Sequence, residues 1–367
     1  MTERFLSDAP EAIRQTVAAL RRLSEKTGPV RLMEVCGTHT VSIFRSGIRS
    51  LLPPEIELLS GPGCPVCVTD QSDIDQAIGV CSMKNAAVCT YGDMLRVPGR
   101  GTSLREAALS GGDVRVVLSP TDVLELARRD RAREFVFFAV GFETTTPQTS
   151  LLLKEAERQK LGNISVLARH KRVLPALELL AQDEDINVKG FLLPGHVSTI
   201  IGTAPYAVLA RKYRRACAVG GFEGQEILLA LAALMLQIAQ DCPRVVNAYP
   251  RGVRDGGNPA ARALIDECFI PCSSAWRGLG LIPESGLKLR KEFEHRDAEL
   301  KLGLTSVPSV PVAGCRCGDV LRGRIRPNEC PLFGTVCTPQ SPTGPCMVSS
   351  EGSCGAWYRW GGLGGKL

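Results

Sequence analysis

The chain has 367 residues, of which 44% are hydrophobic and 22% charged, a composition typical of a soluble globular protein with two or three domains. The net charge of +6 is modest and aromatic residues are only 5%, so the composition argues against a nucleic-acid-binding protein. Fifteen cysteines without a secretory signal favour metal binding or redox chemistry over structural disulfides.

The beginning of the chain and its most apolar segment bear on where the protein works. Residues 1–28 carry acidic side chains near their start and have no continuous apolar stretch, unlike a secretory signal. Segment 227–239 is shorter than the roughly 20 residues that span a bilayer, and is predicted to be a buried helix. The sequence predicts a cytoplasmic protein without a membrane segment. An amphipathic first helix is indicated by Ile13, Val17, Leu20 and Leu23.

Short β-rich runs alternate with helix-like segments over the first two thirds of the chain. This rhythm predicts an α/β fold with parallel sheets covered by helices on both faces. We assign the first four strands to one lobe (1–130) and the next four to a second, similar lobe (131–247), with a central cleft between them. The predicted strands are 30–36, 55–61, 86–90, 114–119, 134–142, 164–169, 190–195 and 216–223.

The composition changes after about residue 245, where Gly and Pro become frequent and strand-like runs end. Residues 248–367 are therefore predicted to form a small third domain. Its apolar content is low, so we expect it to need a cross-link or a metal cluster for stability.

Unusual polar and sulfur-containing residues follow five of the predicted strands. Ligands of open parallel sheets bind beyond the carboxyl ends of the strands, because these ends are rigidly placed and the turns beyond them tolerate polar groups. Turns from both lobes are therefore expected to line one cleft. The five segments are "CGTHT" (36–40), "GPGCPVC" (61–67), "YGDMLRVPG" (91–99), "GFETTTP" (141–147) and "GHVST" (195–199).

Three cysteines are predicted to meet in this cleft: Cys36, Cys64 and Cys67. Thiolates are soft ligands for iron or zinc, but a C-x-x-C pair is also typical of a redox disulfide or of plain packing, and these alternatives remain open. Structural zinc is disfavoured because a clear fourth ligand is missing.

Three further residues are candidates for chemistry in the cleft. His39 could orient a ligand, carry a proton or bind metal, although a hydrogen-bonded turn residue is the commoner case, and the same holds for His196. Glu143 could act as a general base or only provide a charge at a helix start.

The C-terminal region has six cysteines within 40 residues: Cys315, Cys317, Cys330, Cys337, Cys346 and Cys354. This density in a cytosolic chain favours an iron–sulfur cluster, which takes four thiolates. The two remaining cysteines could form a redox disulfide beside the cluster, and together they would make an electron relay. Two zinc sites fit less well, because six thiolates without a nearby histidine do not complete two shells.

The order of the motifs resembles the HypD family of [NiFe]-hydrogenase maturation proteins. The resemblance runs from about residue 30 to residue 358. It rests on "MEVCGTHT", "SGPGCPVCVT", "YGDMLRVPG", "GFETTTP", "LLPGHVSTIIG", "WRGLG" and the tail cysteines. It implies a scaffold on which the Fe(CN)₂CO group is built, working with a HypC-type chaperone and a HypE-type cyanide donor, and reaching the hydrogenase large subunit indirectly.

The resemblance also implies roles for individual residues. Cys36 would be the main iron ligand, shared with the HypC-type partner, and His39 would lie beside it. Cys64 and Cys67 would be redox-active or auxiliary iron ligands. The [4Fe–4S] ligands would be Cys315, Cys330, Cys337 and Cys354, and the redox disulfide would join Cys317 and Cys346. Thiols at helix N-termini are expected to have a lowered pKa, which would favour this chemistry.

Two other functions remain as alternatives. One is a thiol–disulfide reductase that passes electrons from the cluster through Cys317 and Cys346 to Cys64 and Cys67, and then to a protein disulfide. The other is a small-molecule lyase or transferase that uses the cleft, with the cluster purely structural.

Overall fold

Eleven strands form two parallel sheets and one antiparallel hairpin in residues 10–310 and 312–361, which this computed structural model describes. The predicted α/β class with parallel sheets and a Cys-rich C-terminal region is confirmed. The strands are β1 (Val30–Glu34), β2 (Ile56–Ser60), β3 (Ala86–Thr90), β4 (Val114–Val116), β5 (Glu134–Gly141), β6 (Ile164–His170), β7 (Val188–Leu193), β8 (Ala216–Val219), β9 (Val245–Asn247), β10 (Phe269–Trp276) and β11 (Gly280–Leu289).

Seventeen α-helices connect these strands within the described ranges, together with short 3₁₀ segments at Gly92–Arg96, Ala204–Tyr206, Lys291–Arg296 and Pro327–Glu329. The helices are α1 (Glu11–Thr27), α2 (Gly37–Arg45), α3 (Ile48–Leu51), α4 (Pro65–Val68), α5 (Gln71–Cys81), α6 (Leu104–Leu109), α7 (Asp122–Arg129), α8 (Thr146–Arg158), α9 (Val173–Gln182), α10 (Gly195–Ile201), α11 (Ala207–Arg211), α12 (Gly224–Ala239), α13 (Pro259–Cys268), α14 (Ala298–Leu302), α15 (Cys317–Leu321), α16 (Pro345–Val348) and α17 (Ser353–Trp360).

The strand order differs from the predicted grouping. The first sheet has the order β2-β1-β7-β8-β9 and the second has the order β4-β3-β5-β6, with parallel pairing throughout. The assignment of the first four strands to one lobe and the next four to the other is therefore wrong. The chain starts the first sheet, builds the whole second sheet, and then returns to the first.

Contacts between β1 and β7 hold the chain in place where it re-enters the first sheet. Gly190 on β7 lets this strand lie close to both neighbours, because a Cβ there would be 3.1 Å from the Ala216 carbonyl oxygen and 3.2 Å from Leu32 Cδ2. The Arg31 guanidinium donates a hydrogen bond to the carbonyl of Ile186, just before β7. Such contacts between distant segments leave no mark on local sequence periodicity.

Strand β5 illustrates why the predicted strands are apolar on both faces. Successive side chains of a strand point to opposite faces of the sheet. Phe135 and Phe137 join the core on one face, whereas Val136 and Phe138 join a core that also contains residues of the first sheet. Both faces are thus buried, as is usual for parallel sheets.

The hairpin of β10 and β11 is a feature that the sequence analysis missed, since strands were predicted to end after residue 245. Its Gly, Pro and Ser content hides the alternation of a strand, and Gly278 and Gly280 have the positive φ angles of a tight turn. Isolated bridges join Trp276 to Thr69 and Gly286 to Lys171. The hairpin therefore connects the turn after β2 with the end of β6.

Both predicted helices are present and share a hydrophobic core with the strands of the first sheet. Helix α1 begins at Glu11 and buries Val17 and Leu20, while the part of the prediction covering residues 1–9 lies outside the described residues. Helix α12 packs against α1. Within residues 10–310 and 312–361, none of the helices is both long and apolar enough to cross a bilayer.

Candidate functional site

One cavity of about 280 Å³ lies where the carboxyl ends of both parallel sheets meet. Its wall takes residues from the turns after β1, β2, β3, β5, β6 and β7, and adds Glu351 from the C-terminal tail. All five turns that the sequence singled out contribute to it. Of the predicted site residues, Cys36 and His196 line this cavity.

Cys36 stands at the N-terminus of helix α2, directly after β1. Its sulfur accepts hydrogen bonds from the backbone amides of His39 and Thr38, but burial outweighs them and raises the thiol pKa to about 12. The nearby carboxylates of Glu34 and Glu351 act in the same direction. The expected lowering of the pKa is therefore wrong for Cys36, because desolvation of the thiolate exceeds the stabilisation from the helix amides.

Glu34 lies fully buried beneath Cys36, and the sequence analysis gave it no role. Its Oε2 accepts the Cys36 amide at 3.2 Å and its Oε1 accepts the Thr40 hydroxyl at 2.5 Å. Burial raises the pKa of this carboxyl to about 7. Glu34 thus fixes the backbone of the turn that presents Cys36.

Two glycines allow the turns around Cys36 to approach one another. A Cβ on Gly63 would lie 2.2 Å from the Cys36 nitrogen, and the Gly37 amide donates to the Gly63 carbonyl at 3.2 Å. A Cβ on Gly37 would lie 2.6 Å from the Glu351 Cβ. These positions need glycine because backbone or a Cβ occupies the space.

Glu351 closes the cavity from the tail and was also missed by the sequence analysis. Its Oε1 accepts the Thr38 hydroxyl at 2.7 Å, a contact that joins segments 313 residues apart. Its charge acts to raise the pKa of His196, although burial has the larger effect and lowers it. A carboxylate therefore faces the cavity beside Cys36 and His196.

The His196 ring is stacked on Phe222, with ring centroids 4.0 Å apart. Phe222 also contacts the ring of His39, at 5.2 Å between centroids. His39 itself is buried outside the cavity wall, and its Nε2 donates to the Gly221 carbonyl at 2.8 Å. Burial lowers the His39 pKa to about 4, so this imidazole is neutral at pH 7.

The C-x-x-C pair lies behind the cavity wall. Cys64 caps helix α4, and its sulfur accepts the Cys67 amide at 3.3 Å. The Cys67 thiol also forms hydrogen bonds with the sulfurs of Cys64 and Cys346, and burial together with these contacts raises its pKa. The structure therefore brings the cleft pair into direct contact with a cysteine of the tail.

Glu143 follows β5 and is buried just outside the cavity wall. Its Oε1 accepts the Val173 amide at 3.0 Å, while its Oε2 has no hydrogen-bond partner among the described residues. Burial raises the pKa of this carboxyl to about 7. Glu143 is thus a group whose proton is exchangeable near neutral pH.

Glu143→Gln is expected to reduce the dependence of stability on pH. The carboxyl pKa is 4.5 in the reference state and about 7 in the folded protein, so its stabilising effect is complete below pH 4.5 and is lost as the pH rises through 7. Each pKa unit corresponds to about 1.4 kcal/mol. Urea unfolding at pH 4.5 and pH 8 measures the effect, with the exposed Glu25→Gln as control. The prediction is contradicted if the difference in unfolding free energy between the two pH values is the same in Glu143→Gln as in the unaltered protein.

The six tail cysteines lie in one neighbourhood, and several of them are hydrogen-bonded to one another. The Cys317 thiol donates a hydrogen bond to Cys315, which together with nearby Arg277 lowers the Cys315 pKa to about 7. Cys346 instead contacts Cys354 and Cys67, and these hydrogen bonds lower its pKa. Cys317 and Cys346 interact electrostatically.

These cysteines suit metal ions because thiolates are metal ligands and because the side chains lie close to one another. In residues 10–310 and 312–361, no group of three or more His, Cys, Asp or Glu side chains is arranged as a metal site. Two of the proposed cluster ligands are hydrogen-bonded to other thiols, Cys315 to Cys317 and Cys354 to Cys346. Four cysteinates suit a [4Fe–4S] cluster, and Gly344 leaves open the space beside Cys315, since a Cβ there would be 2.9 Å from the Cys315 sulfur.

Comparison with known proteins gives a consistent result over nearly the full chain. A family model described as "HypD: Hydrogenase formation hypA family" matches residues 11–361. Hydrogenase maturation factor HypD of Rhodobacter capsulatus is 42% identical over 363 residues, covering 96% of both chains. The protein of the same name from Escherichia coli (strain K12) is 40% identical, covering 97% of this chain and 98% of its own. The one from Azotobacter vinelandii is 42% identical, covering 95% and 94%.

Proposed function

Because the chain belongs to the HypD family of hydrogenase maturation factors, we propose that it is a scaffold on which the Fe(CN)₂CO group of a [NiFe]-hydrogenase is assembled, with Cys36 as the iron anchor. The observation that carries this proposal is the position of Cys36. It lies in the wall of a cavity formed by the turns of both sheets, at the head of a helix whose amides point at its sulfur.

Cys36 must lose its proton before it binds iron, because the thiolate is the ligand. Its raised pKa favours the protonated thiol, so iron binding releases a proton. The carboxylate of Glu351 faces the same cavity, and Glu34 holds the backbone amide of Cys36. These two groups are placed to accept the proton and to fix the ligand, respectively.

The cavity supplies one cysteine to the iron, so further ligands come from other molecules. A HypC-type chaperone sharing the iron with Cys36 and a HypE-type donor of cyanide equivalents fit this incomplete shell. The hydrogenase large subunit would receive the finished group indirectly, through the chaperone. The mostly apolar wall around Cys36 limits access of water to the iron and its diatomic ligands. His196 lines this space, and His39 and Glu143 lie just outside its wall. We assign them roles as proton carriers or positioning groups.

Thiol–disulfide exchange is the second part of the proposal. The Cys346 sulfur, whose pKa is lowered, contacts Cys67. When Cys64 and Cys67 form a disulfide, attack of the Cys346 thiolate on Cys67 forms a mixed disulfide and releases the Cys64 thiolate. Attack of Cys317 on Cys346 then forms the Cys317–Cys346 disulfide and releases reduced Cys67. Two electrons thus move from the tail to the cleft.

A [4Fe–4S] cluster held by Cys315, Cys330, Cys337 and Cys354 would supply one-electron chemistry beside these thiols when bound. Cys330 belongs to this group through its position next to Gly314, whose carbonyl oxygen is 4.0 Å from the Cys330 sulfur. We expect the whole process to take place in the cytoplasm.

The infrared spectrum of the protein isolated without oxygen together with its small chaperone tests the scaffold function. Bound cyanide and carbon monoxide give bands in a region that is free of protein absorption. We expect these bands, together with more iron per chain than the about four atoms that one cluster takes. Iron limited to a single cluster, with neither band present, would contradict the scaffold function.

Two tail variants test the division of the six cysteines. Cys330→Ala is expected to abolish the brown absorption of the cluster, because a ligand is lost. Cys317→Ala is expected to keep it, since this residue is assigned to the exchange pair. Visible absorption and iron content after anaerobic purification measure both. Loss of the cluster in both variants would show that the division into ligands and exchange pair is wrong.

The contact between Cys67 and Cys346 also favours a second candidate, a thiol–disulfide reductase acting on a protein disulfide. Such a reductase would need the same relay but no iron at Cys36. The infrared bands therefore separate the two functions.

A further inference from the structure

A second, larger opening lies beside the tail, away from Cys36. It is an open groove of about 720 Å³ between the loop before α6, the α6 helix and residues 340–343 of the tail. Arg96, Arg100 and Arg105 line it, with Glu106 as the one acidic residue in its wall. We call it the arginine groove.

The positive charge of the arginine groove is not neutralised within the described residues. Arg96 donates to the carbonyls of Pro339 and Val348, and Arg100 donates to the carbonyl of Pro308. Arg105 is exposed and has no side-chain partner in this part of the chain. Glu106 accepts from the hydroxyls of Thr102 and Ser103 rather than from an arginine.

The arginine groove continues into a second cavity of about 300 Å³, with which it shares Gln71, Val310 and Val312. Cys315 and Cys317 form part of this second wall. Arg277 also lines it and is only 8% exposed, yet its Nη1 has no hydrogen-bond partner among the described residues. Its Nη2 donates to the Pro98 carbonyl at 3.2 Å, so one buried guanidinium nitrogen is left unpaired. An unpaired buried nitrogen of a charged group indicates that an anionic group belongs in this cavity.

Arginines outnumber carboxylates in the walls of the arginine groove and the second cavity. Six arginines line them, three in each, against one carboxylate in the groove and two in the second cavity, Asp70 and Asp319. Asp319 is paired with Arg316 at 2.8 Å, and Asp70 accepts hydrogen bonds from Ser72 and Ser309. The surface thus attracts an acidic molecule toward two thiols.

We propose that the arginine groove and the adjoining cavity are the docking surface for an acidic one-electron carrier protein of the ferredoxin type, which reduces the tail cysteines. This inference rests on the proposed exchange of electrons from the tail to the cleft. Each carrier molecule gives one electron, so two carriers and two protons convert the Cys317–Cys346 disulfide into two thiols, and two carriers become oxidised.

The geometry favours a protein over a small molecule. Leu109 is 80% exposed and Val310 is 54% exposed, so apolar side chains stand among the arginines as they do in protein interfaces. The redox groups also lie at the wall: the Thr343 amide donates to the Cys337 sulfur at 3.3 Å, and Thr343 lines the groove. A carrier seated in the groove is separated from this sulfur by one residue.

Arg105→Glu tests the docking surface, because Arg105 makes no contact that holds the fold. The probe is a reduced plant-type [2Fe–2S] ferredoxin, and the full-length protein carries its cluster and an oxidised tail disulfide. Stopped-flow measurement of ferredoxin oxidation is expected to be about tenfold or more slower in the variant at low salt, with the difference shrinking as salt rises. Arg22→Glu, the same charge change on the exposed face of α1, is the matched control and is expected to react like the unaltered protein.

Reduction by uncharged dithiothreitol distinguishes a failure of the docking surface from a failure of the thiol–disulfide exchange. Thiol formation with dithiothreitol in both variants, together with an equal ferredoxin rate in Arg105→Glu and the control, overturns the docking surface alone. Failure of any reductant to produce the two thiols, counted by alkylation and mass spectrometry, overturns the exchange function. If glutathione, an anionic thiol, reduces the tail as fast as ferredoxin and is equally sensitive to Arg105→Glu, the occupant is a small molecule and the carrier proposal is wrong.

Discussion

Cys36→Ala is expected to remove the cyanide and carbon monoxide infrared bands completely, while iron in the tail cluster remains. Cys36 is the one cysteine among the described residues of the cavity wall, and its sulfur is the group at which the helix amides point. Under the proposed function, the variant therefore has no anchor for the iron. The bands and the iron content of the anaerobic complex with the chaperone measure the loss, and circular dichroism verifies the fold.

Cys89→Ala is the matched control for this variant. Cys89 is fully buried, and burial raises its thiol pKa to about 12, the same value as for Cys36. It is the penultimate residue of β3, among apolar residues of the second sheet and outside the cavity wall. Both variants are expected to cost about 1 kcal/mol of stability, but the bands should persist in Cys89→Ala. Persistence of the bands in Cys36→Ala would remove the basis of the scaffold assignment.

Gly63→Ala is expected to cost about 3 kcal/mol of stability and to weaken the infrared bands strongly. The new Cβ would lie 2.2 Å from the nitrogen and 2.4 Å from the Cα of Cys36. These are backbone atoms, so the clash is relieved only by moving the turn that carries Cys36. Urea unfolding measures the stability, and band intensity per chain measures the displacement of Cys36.

Gly79→Ala serves as the control for a glycine substitution. Gly79 lies on the exposed side of α5, and a Cβ there meets nothing within 4 Å. Alanine in a helix interior is expected to stabilise by about 0.5–1 kcal/mol relative to glycine. If Gly63→Ala unfolds like the unaltered protein and keeps full band intensity, the close approach of the two turns is not essential.

Local patterns in the sequence predicted the strands well. All eight predicted runs contain strands, because each is an apolar segment bounded by turn residues, and the turns after them do line one cavity. The rule that ligands gather at the carboxyl ends of parallel strands was therefore sufficient to find Cys36 and His196.

The pairing of strands could not be predicted in the same way. Strands β1 and β7 are joined by contacts such as Arg31 with the carbonyl of Ile186, and neither segment carries a local sign of its partner. The two missed carboxylates follow the same logic. Glu351 reaches the cavity only because the tail folds back, and Glu34 is part of a strand whose apolar neighbours suggest packing rather than chemistry.

Proton affinities were also beyond the sequence. The position of Cys36 at a helix start predicts a lowered pKa, and only the packing around it reveals that desolvation has the larger effect. The density of cysteines in the tail predicted that they lie close together. The contact between Cys67 and Cys346 could not be predicted, because it depends on how α16 packs against α4.

The order of the strands along the chain has a consequence for synthesis on the ribosome. The second sheet, residues 86–170, is continuous and can form while translation proceeds, whereas the first sheet waits for β7 and β8. The cavity is completed later still, since Glu351, which closes it, belongs to the C-terminal tail. A nascent chain therefore displays Cys36 in an unfinished pocket until the segment that carries Glu351 has been synthesised and folds back against Thr38.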